Sequence, residues 1–404
     1  MLLVKNIDRV REEIREFFPP AFLTVERVAL ACALGRVLSK NVAAEEDVPH
    51  FCRSTVDGWA VRAKDVFGAS ETFPAILRVV GEVLMGEKPS LALNAGEAVY
   101  VPTGAWVPEG ADAVVMIEHC ERLLDEVLVY KAAPPGSQIV FRGDDRKEGE
   151  LVLPAGSVLG PKEIGALAAC GREHVGVFAR PVCGIISTGD EIVPAGEPVS
   201  LDSAKMRDVN HPMAAAMLRQ WGMEPRFFGI CRDNEELIRE VLLEALKVCD
   251  MVLLSGGSSA GRLDNTVKVI AGVPEAAFLT HGLAVKPGKP TILARIGTKP
   301  VIGLPGHPVS AFFIMQTVIR PICYALFGVD APPLPYLAAV AGEKIPSNNG
   351  RDDFVAGALI GGVFTPLPLK SGLITLLCAA NGYIMIDRES EGVNKGAPVK
   401  VYLF

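Results

Sequence analysis

Several short segments of this chain carry side chains suited to chemistry rather than to core filling. Ser187-Thr188-Gly189-Asp190-Glu191 follows an apolar run, and its glycine frees the backbone to turn ahead of two adjacent carboxylates. Such a pair holds a divalent cation or a substrate amine, or is a polar turn capping a strand. Ser255-Gly256-Gly257-Ser258-Ser259-Ala260-Gly261, followed by Asp264, comes directly after MVLL. Backbone N–H groups and hydroxyls in such a loop converge on a phosphate, although it has neither the lysine of a P-loop nor a full G-x-G-x-x-G. Lys286-Pro287-Gly288-Lys289-Pro290 sets two cations in a turn stiffened by prolines, which suits an oxyanion or phosphate; the alternative is an exposed turn of solvated lysines. Gly303-Leu304-Pro305-Gly306-His307-Pro308-Val309-Ser310 runs into a helix, where Ser310 caps the helix or adds a hydroxyl to an anion site. His307 has no identifiable partner and reads as structural. Asp57, before Gly58, reads as a turn residue, and Asp233 as the N-cap of the next helix or a neighbour of that cap.

The elements that must position these loops follow from periodicity. Residues 5–18 predict an amphipathic helix with Val10, Ile14 and Phe17 on one stripe, Asp8 as N-cap, and Pro19 and Pro20 as the stop. From about 46 to 140, short apolar runs alternate with turn-forming clusters and predict a β-rich domain. Pro161 suits a first helical position and Gly171 a helix terminus. From about 180, strand-like runs alternate with helices, including one over Glu235 to Val248. That alternation predicts a largely parallel sheet with helices on both faces, whose ligands sit beyond the carboxyl ends of the strands. After PPLP at 332–335 the tail returns to β runs and predicts a small barrel or sandwich.

Composition bounds the function. Half of the 404 residues are hydrophobic and 22% are charged, so the chain is globular. The balance of 40 basic against 47 acidic side chains, net −7, gives a bulk field that repels nucleic acid and anionic membrane, so an anionic ligand needs local cations. Nine cysteines without a C-x-x-C pair predict reduced thiols, a cytoplasmic location and no structural zinc. The stretch from Pro300 to Ile319 lacks formal charge, but its prolines and glycines predict a strand, a loop and a helix rather than a membrane span.

Taken together, STVDGWAV, VPTGA, GADAVVMIEHCE, FRGDDRKEGE, STGDEIV, RDVN, GGSSAGRLDNT, VKPGKP, GLPGHPVSA, GRDDF, KSG and AANGYI, in this order over nearly the whole chain, resemble the molybdopterin molybdenumtransferase (MoeA) family, which includes the carboxyl-terminal part of gephyrin. The resemblance implies a central doubly wound α/β domain, similar to molybdopterin adenylyltransferases, flanked by a β-rich domain and a C-terminal β-barrel. It implies domains over 1–45 with 141–178, over 46–140, over 179–328 and over 329–404, in a homodimer whose active cleft lies near the subunit interface. The implied reaction inserts molybdate, or tungstate, into adenylylated molybdopterin and releases AMP with Mg2+, and a molybdopterin adenylyltransferase is an implied transient partner. Catalytic roles would fall to Asp57, Glu191, Asp233, Asp264 and Lys286, and cation binding to Asp57, Asp190, Glu191 and Asp233. Cofactor binding would involve Thr103, Ser187, Thr188, Gly189, Gly256, Gly257, Ser259, Lys289, Pro305, Pro308, Ser310, Arg351 and Ser371, together with Asp264 on the pterin edge and Lys286. Gly282 stands where the family carries a cation. Two other readings are an adenylyltransferase or nucleotide hydrolase sharing the α/β domain, and a non-catalytic scaffold of the gephyrin type.

Overall fold

The computed structural model describes residues 4–200, 202–256 and 260–404, with 260–264 described through their backbone. The chain forms two compact units, one of residues 28–34 and 40–175, the other of residues 1–27, 35–39 and 176–404.

The first of these units is built on strands β1 (Gly58–Val61), β2 (Ala75–Glu82), β3 (Glu97–Val101), β4 (Ala113–Met116), β5 (Cys120–Leu123) and β6 (Glu126–Val129), in the order β4-β1-β3-β2-β6-β5. Successive residues of a strand point to opposite faces, and here both faces are covered. Trp59, Val61, Ala98 and Val115 pack on one side, and Ala60, Val99, Val101 and Val114 on the other. Every residue of β1 is therefore buried. The helix Pro161–Ala169 begins with its proline at the first position, and Gly171 follows it at φ 74°, as the sequence predicts.

In the other unit helix α1 (Ile7–Phe17) follows a two-residue strand, Val4–Lys5. Its N-cap is Asn6, whose side chain accepts from the Arg9 N–H at 2.8 Å, and not Asp8, which sits within the first turn and complements the helix dipole. Val10 and Ile14 are buried as expected, joined by Ile7 and Phe18. The α/β layer contains β7 (Val182–Thr188), α2 (Asn210–Gln220), β8 (Glu224–Cys231), α3 (Glu235–Val248), β9 (Met251–Ser255), α4 (Ala260–Ala271), β10 (Ala276–Thr280), β11 (Ile292–Ile296) and β12 (Lys299–Leu304). The sheet order is β8-β7-β9-β12-β11-β10. The first four strands are parallel and the last two join antiparallel. On one face α3 and α4 bury Ile238, Leu242, Val269 and Ile270 against Ile186, Val252, Leu254 and Val301. On the other, α2 packs against β7, β8 and the helix that follows β12. That helix, Pro308–Leu326, is the one described helix long and apolar enough to cross a membrane, but 78% of its apolar window is buried inside the protein.

The C-terminal region forms a closed five-stranded barrel from β13 (Tyr336–Ala341), β14 (Asp352–Ile360), β15 (Val363–Pro366), β16 (Gly382–Ile386) and β17 (Pro398–Leu403), in the order β14-β15-β13-β17-β16 and back to β14. Ala341, Phe364, Ile384, Ile386 and Val401 fill it. The α/β layer docks onto it through backbone: Val285 and Lys286 pair in parallel with Asp352 and Asp353.

Candidate functional site

Strands β7, β9 and β12 are neighbours and parallel, so the loops at their carboxyl ends meet. They enclose a cleft of about 550 Å3 lined by Ser187, Thr188 and Glu191 from the first loop, Ser255 and Gly256 from the second, and Gly306, His307 and Pro308 from the third. Gly256, at φ 152°, is required by close approach: a Cβ there would lie 2.0 Å from Thr188 Oγ1 and 2.4 Å from its carbonyl oxygen. Gly257 and Ser259 lie outside the described residues, and Asp264 is described as a backbone position on α4.

Two polar residues give the cleft its floor, and sequence reasoning assigned neither. Asp208, 5% exposed, accepts Ser187 Oγ–H at 2.5 Å through one oxygen and the His211 N–H at 3.0 Å through the other, which also caps the start of α2. Asn210 donates from Nδ2 to Ser255 Oγ (2.9 Å) and to the carbonyls of Pro305 (3.3 Å) and Gly306 (3.0 Å), tying the second and third loops together. Both belong to RDVN, which runs into the first residue of α2. The signal was there: short polar residues at the start of a helix in a domain whose ligands sit at loop ends.

On the rim, Asp190 is exposed and its Oδ1 accepts the Asp233 N–H at 3.4 Å, so the two acidic loops touch. The cap of α3 is Asn234, whose Oδ1 takes the N–H groups of Glu236 and Leu237; Asp233 is its neighbour. Asp57 and Thr103 belong to the other unit, where they meet: Asp57 Oδ1 accepts the Thr103 N–H at 2.6 Å and its hydroxyl at 2.8 Å. Those two bonds, the backbone one foremost, hold the Asp57 carboxyl below its ordinary range.

A second cavity, of about 560 Å3, lies between the α/β layer and the barrel and is lined by Lys286, Lys344 and Lys370 together with Glu343 and Asp353. Lys286 Nζ reaches it and pairs with Asp353 Oδ2 at 2.9 Å; Asp353, 4% exposed, also accepts Ser347 Oγ–H at 3.0 Å. Ser371 lines the same cavity, and its carbonyl accepts the Val309 N–H at 3.0 Å. That bond marks the wall between the cavities, since His307, Pro308 and Gly372 face the cleft while Val309 and Ser371 face the second cavity. Lys289 is exposed, and its carbonyl accepts the N–H groups of Leu283 and Thr291. Arg351 is exposed immediately before β14. Ser310 does not cap its helix: His307 holds the N-cap position, Pro308 starts the helix, and Ser310 is buried in the first turn. Gly282 is buried, pairs with Val4, and would place a Cβ 3.3 Å from the Lys289 carbonyl.

Among the described residues no group of three or more His, Cys, Asp or Glu side chains is close enough to hold a metal by itself. The touching acidic loops supply hard oxygen donors, and Mg2+ is ordinarily held by one or two carboxylates completed by water and substrate phosphate. The donor set therefore fits a phosphate-bound Mg2+ rather than a caged one.

An α/β domain with its cleft at the parallel strand ends, abutting a barrel that completes a second cavity lined by lysines and acids, is the architecture of a multidomain ligand-binding protein. Three family models divide the chain: the MoeA N-terminal region (domain I and II) over residues 5–171, a probable molybdopterin binding domain over 184–325, and the MoeA C-terminal region (domain IV) over 338–404. The molybdopterin molybdenumtransferase of Nostoc sp. is 33% identical over 83% of this chain and 77% of its own. Molybdopterin molybdenumtransferase 2 of Mycobacterium tuberculosis is 32% identical over 93% of this chain and 94% of its own. The solved structure of the molybdopterin biosynthesis MoeA protein from Pyrococcus horikoshii OT3 superposes with a TM-score of 0.84 at 32% identity, covering 99% of this chain and all of that one. The chain belongs to the MoeA family, the molybdopterin molybdenumtransferases of molybdenum cofactor biosynthesis.

Proposed function

We propose that the protein inserts molybdate, or tungstate, into adenylylated molybdopterin and releases AMP. One observation carries the reading: a cleft rimmed by acidic loops and a cavity reached by Lys286 share the wall at Val309 and Ser371. The reaction needs an organic ligand and an oxyanion side by side, each in its own electrostatic environment. Molybdate and tungstate are tetrahedral dianions of similar size, and the Lys286 ammonium with the Ser371 hydroxyl supplies the charge and donor such an anion requires. The Asn210 tether keeps the Ser255–Gly256 and Pro305–Gly306 loops at fixed spacing, so the cleft is formed before the ligand arrives. Mg2+ held by Asp190, Glu191 and Asp233 would offset phosphoanhydride charge and polarise its oxygens. On this reading the protein works as a homodimer in the cytoplasm and receives its substrate from an adenylyltransferase, with Asp57 and Thr103 serving the cleft of a partner subunit.

The test is AMP release by the purified protein given adenylylated molybdopterin and Mg2+, without oxyanion, with molybdate and with tungstate. Oxyanion-dependent AMP release with active cofactor formed is the expected result. Substrate binding without AMP under any oxyanion would overturn the transferase reading in favour of a scaffold.

A further inference from the structure

The acidic loop 189–192 has two sides. Its inner side lines the cleft, and its outer side lines a second depression of about 620 Å3 that also takes in Lys205, Phe227 and Arg232. Alternation on the edge strand β8 sends Phe228 to the face packed by α3 and Phe227 to the opposite face, at the start of α2. There His211 stacks on Phe227 with centroids 3.7 Å apart and planes within 9°. The imidazole backs one side of the phenyl ring, which is nonetheless 41% exposed. A bulge sets this geometry: the register runs from Ile185↔Phe227 to Ser187↔Ile230, so Phe228 and Gly229 together oppose Ile186, with Gly229 at φ 100°. Burial lowers the His211 pKa, which favours the neutral imidazole suited to stacking.

We infer that the open face of Phe227 is a stacking platform for the base of a phosphorylated nucleotide, the adenylyl half of the substrate. The inference rests on the function proposed above and names how one half of that substrate is held. Aromatic faces bind planar bases with little regard to their edges, while phosphate needs cations. Both are present: Phe227 offers the face, and the exposed Lys205 and Arg232 offer charge on the same depression. Lys205 Nζ already donates to the Asp190 carbonyl at 2.5 Å, which fixes its ammonium beside the acidic loop. Ile192 and Lys205 line both hollows. A ligand of two halves joined by a phosphoanhydride would straddle the loop, with the base on Phe227, the anhydride over the Asp190 and Asp233 edge, and the pterin in the cleft.

The test titrates AMP and ribose 5-phosphate, each with Mg2+, into the full chain, its Phe227→Ala variant and its Phe227→Trp variant by calorimetry. Phe227→Ala is expected to weaken AMP at least about 5-fold, leave ribose 5-phosphate unchanged, and be rescued by Phe227→Trp. Equal losses for both ligands would make Phe227 merely structural and overturn the inference, as would unchanged AMP affinity or no AMP binding by the parent protein. Oxyanion-dependent AMP release in the parent protein separates the two claims. Release with AMP binding indifferent to Phe227 sinks the platform alone; no release with Phe227-dependent AMP binding sinks the transferase reading alone.

Discussion

Replacing Lys286 by Met should loosen the junction between the α/β layer and the barrel by an amount the structure bounds. The ammonium is half exposed while Asp353 is nearly fully buried, its side chain 6% accessible, so the pair lies between two regimes. Fully exposed pairs contribute about 0–1 kcal/mol, whereas removing one partner of a buried pair costs about 3–5 kcal/mol because the remaining charge is stranded. The Ser347 hydroxyl keeps one bond to Asp353, which lowers the penalty and favours a value of about 2 kcal/mol. Lys286 and Asp353 are a register pair, and the Asp352 N–H donates to the Ala284 carbonyl at 2.9 Å. The loss should therefore appear as local opening there rather than as global unfolding. Hydrogen exchange read by mass spectrometry should show protection over 284–288 and 350–354 falling about 30-fold, the equivalent of that energy. Lys289→Met, which removes an exposed ammonium on the same turn, should leave protection within about 2-fold. The double variant Lys286→Met/Asp353→Asn should recover most of the protection, since no charge is then stranded. Equal exchange in Lys286→Met and Lys289→Met, or no recovery in the double variant, would refute the assignment of the junction to this ion pair.

Glu191→Ala and Lys289→Ala should each abolish turnover while leaving circular dichroism and oligomer size unchanged; unimpaired cofactor synthesis in both would remove them from the site. Gly256→Ala, whose Cβ would fall 2.0 Å from Thr188 Oγ1 at a φ of 152°, should cost about 2–4 kcal/mol through overpacking and backbone strain, read as a lower apparent Tm with loss of ligand binding. Thr103→Val removes the hydroxyl bond to Asp57 and keeps the backbone bond, so the Asp57 pKa should rise towards its ordinary value without reaching it, as followed by carboxyl NMR. Because the folded pKa is depressed, the stability it contributes is present above the unfolded pKa and is lost as pH falls through the folded one, and the variant should lose less stability on acidification than the parent.

What the sequence made legible was local. The helix expected over Glu235 to Val248 is observed over those residues, and the Gly and Pro punctuation before Pro308 marks the end of β12 and the start of a buried helix. Periodicity and cap chemistry are written within a few residues of where they act. Even there, neighbouring candidates compete: Asn6 displaced Asp8 as a cap because two short polar side chains stand within one turn, and only backbone conformation selects between them. The site itself was legible as a set of loops but not as pairs. Lys286 meets Asp353 across 67 residues, Asp57 meets Thr103 across 46, and Ser187 meets Asp208 across 21. Each pairing depends on which segments become neighbours in the fold: Asp57 and Thr103 flank the paired strands β1 and β3, Lys286 pairs along β14, and the cleft loops follow the order β8-β7-β9-β12-β11-β10, which is not the order of the chain. Once β7, β9 and β12 are adjacent and parallel, the loops after them must converge, and the short polar residues around the start of α2 must lie beneath them. Asp208 and Asn210 therefore stayed hidden although their motif was in view: their role is to buttress loops that come together only in the folded sheet.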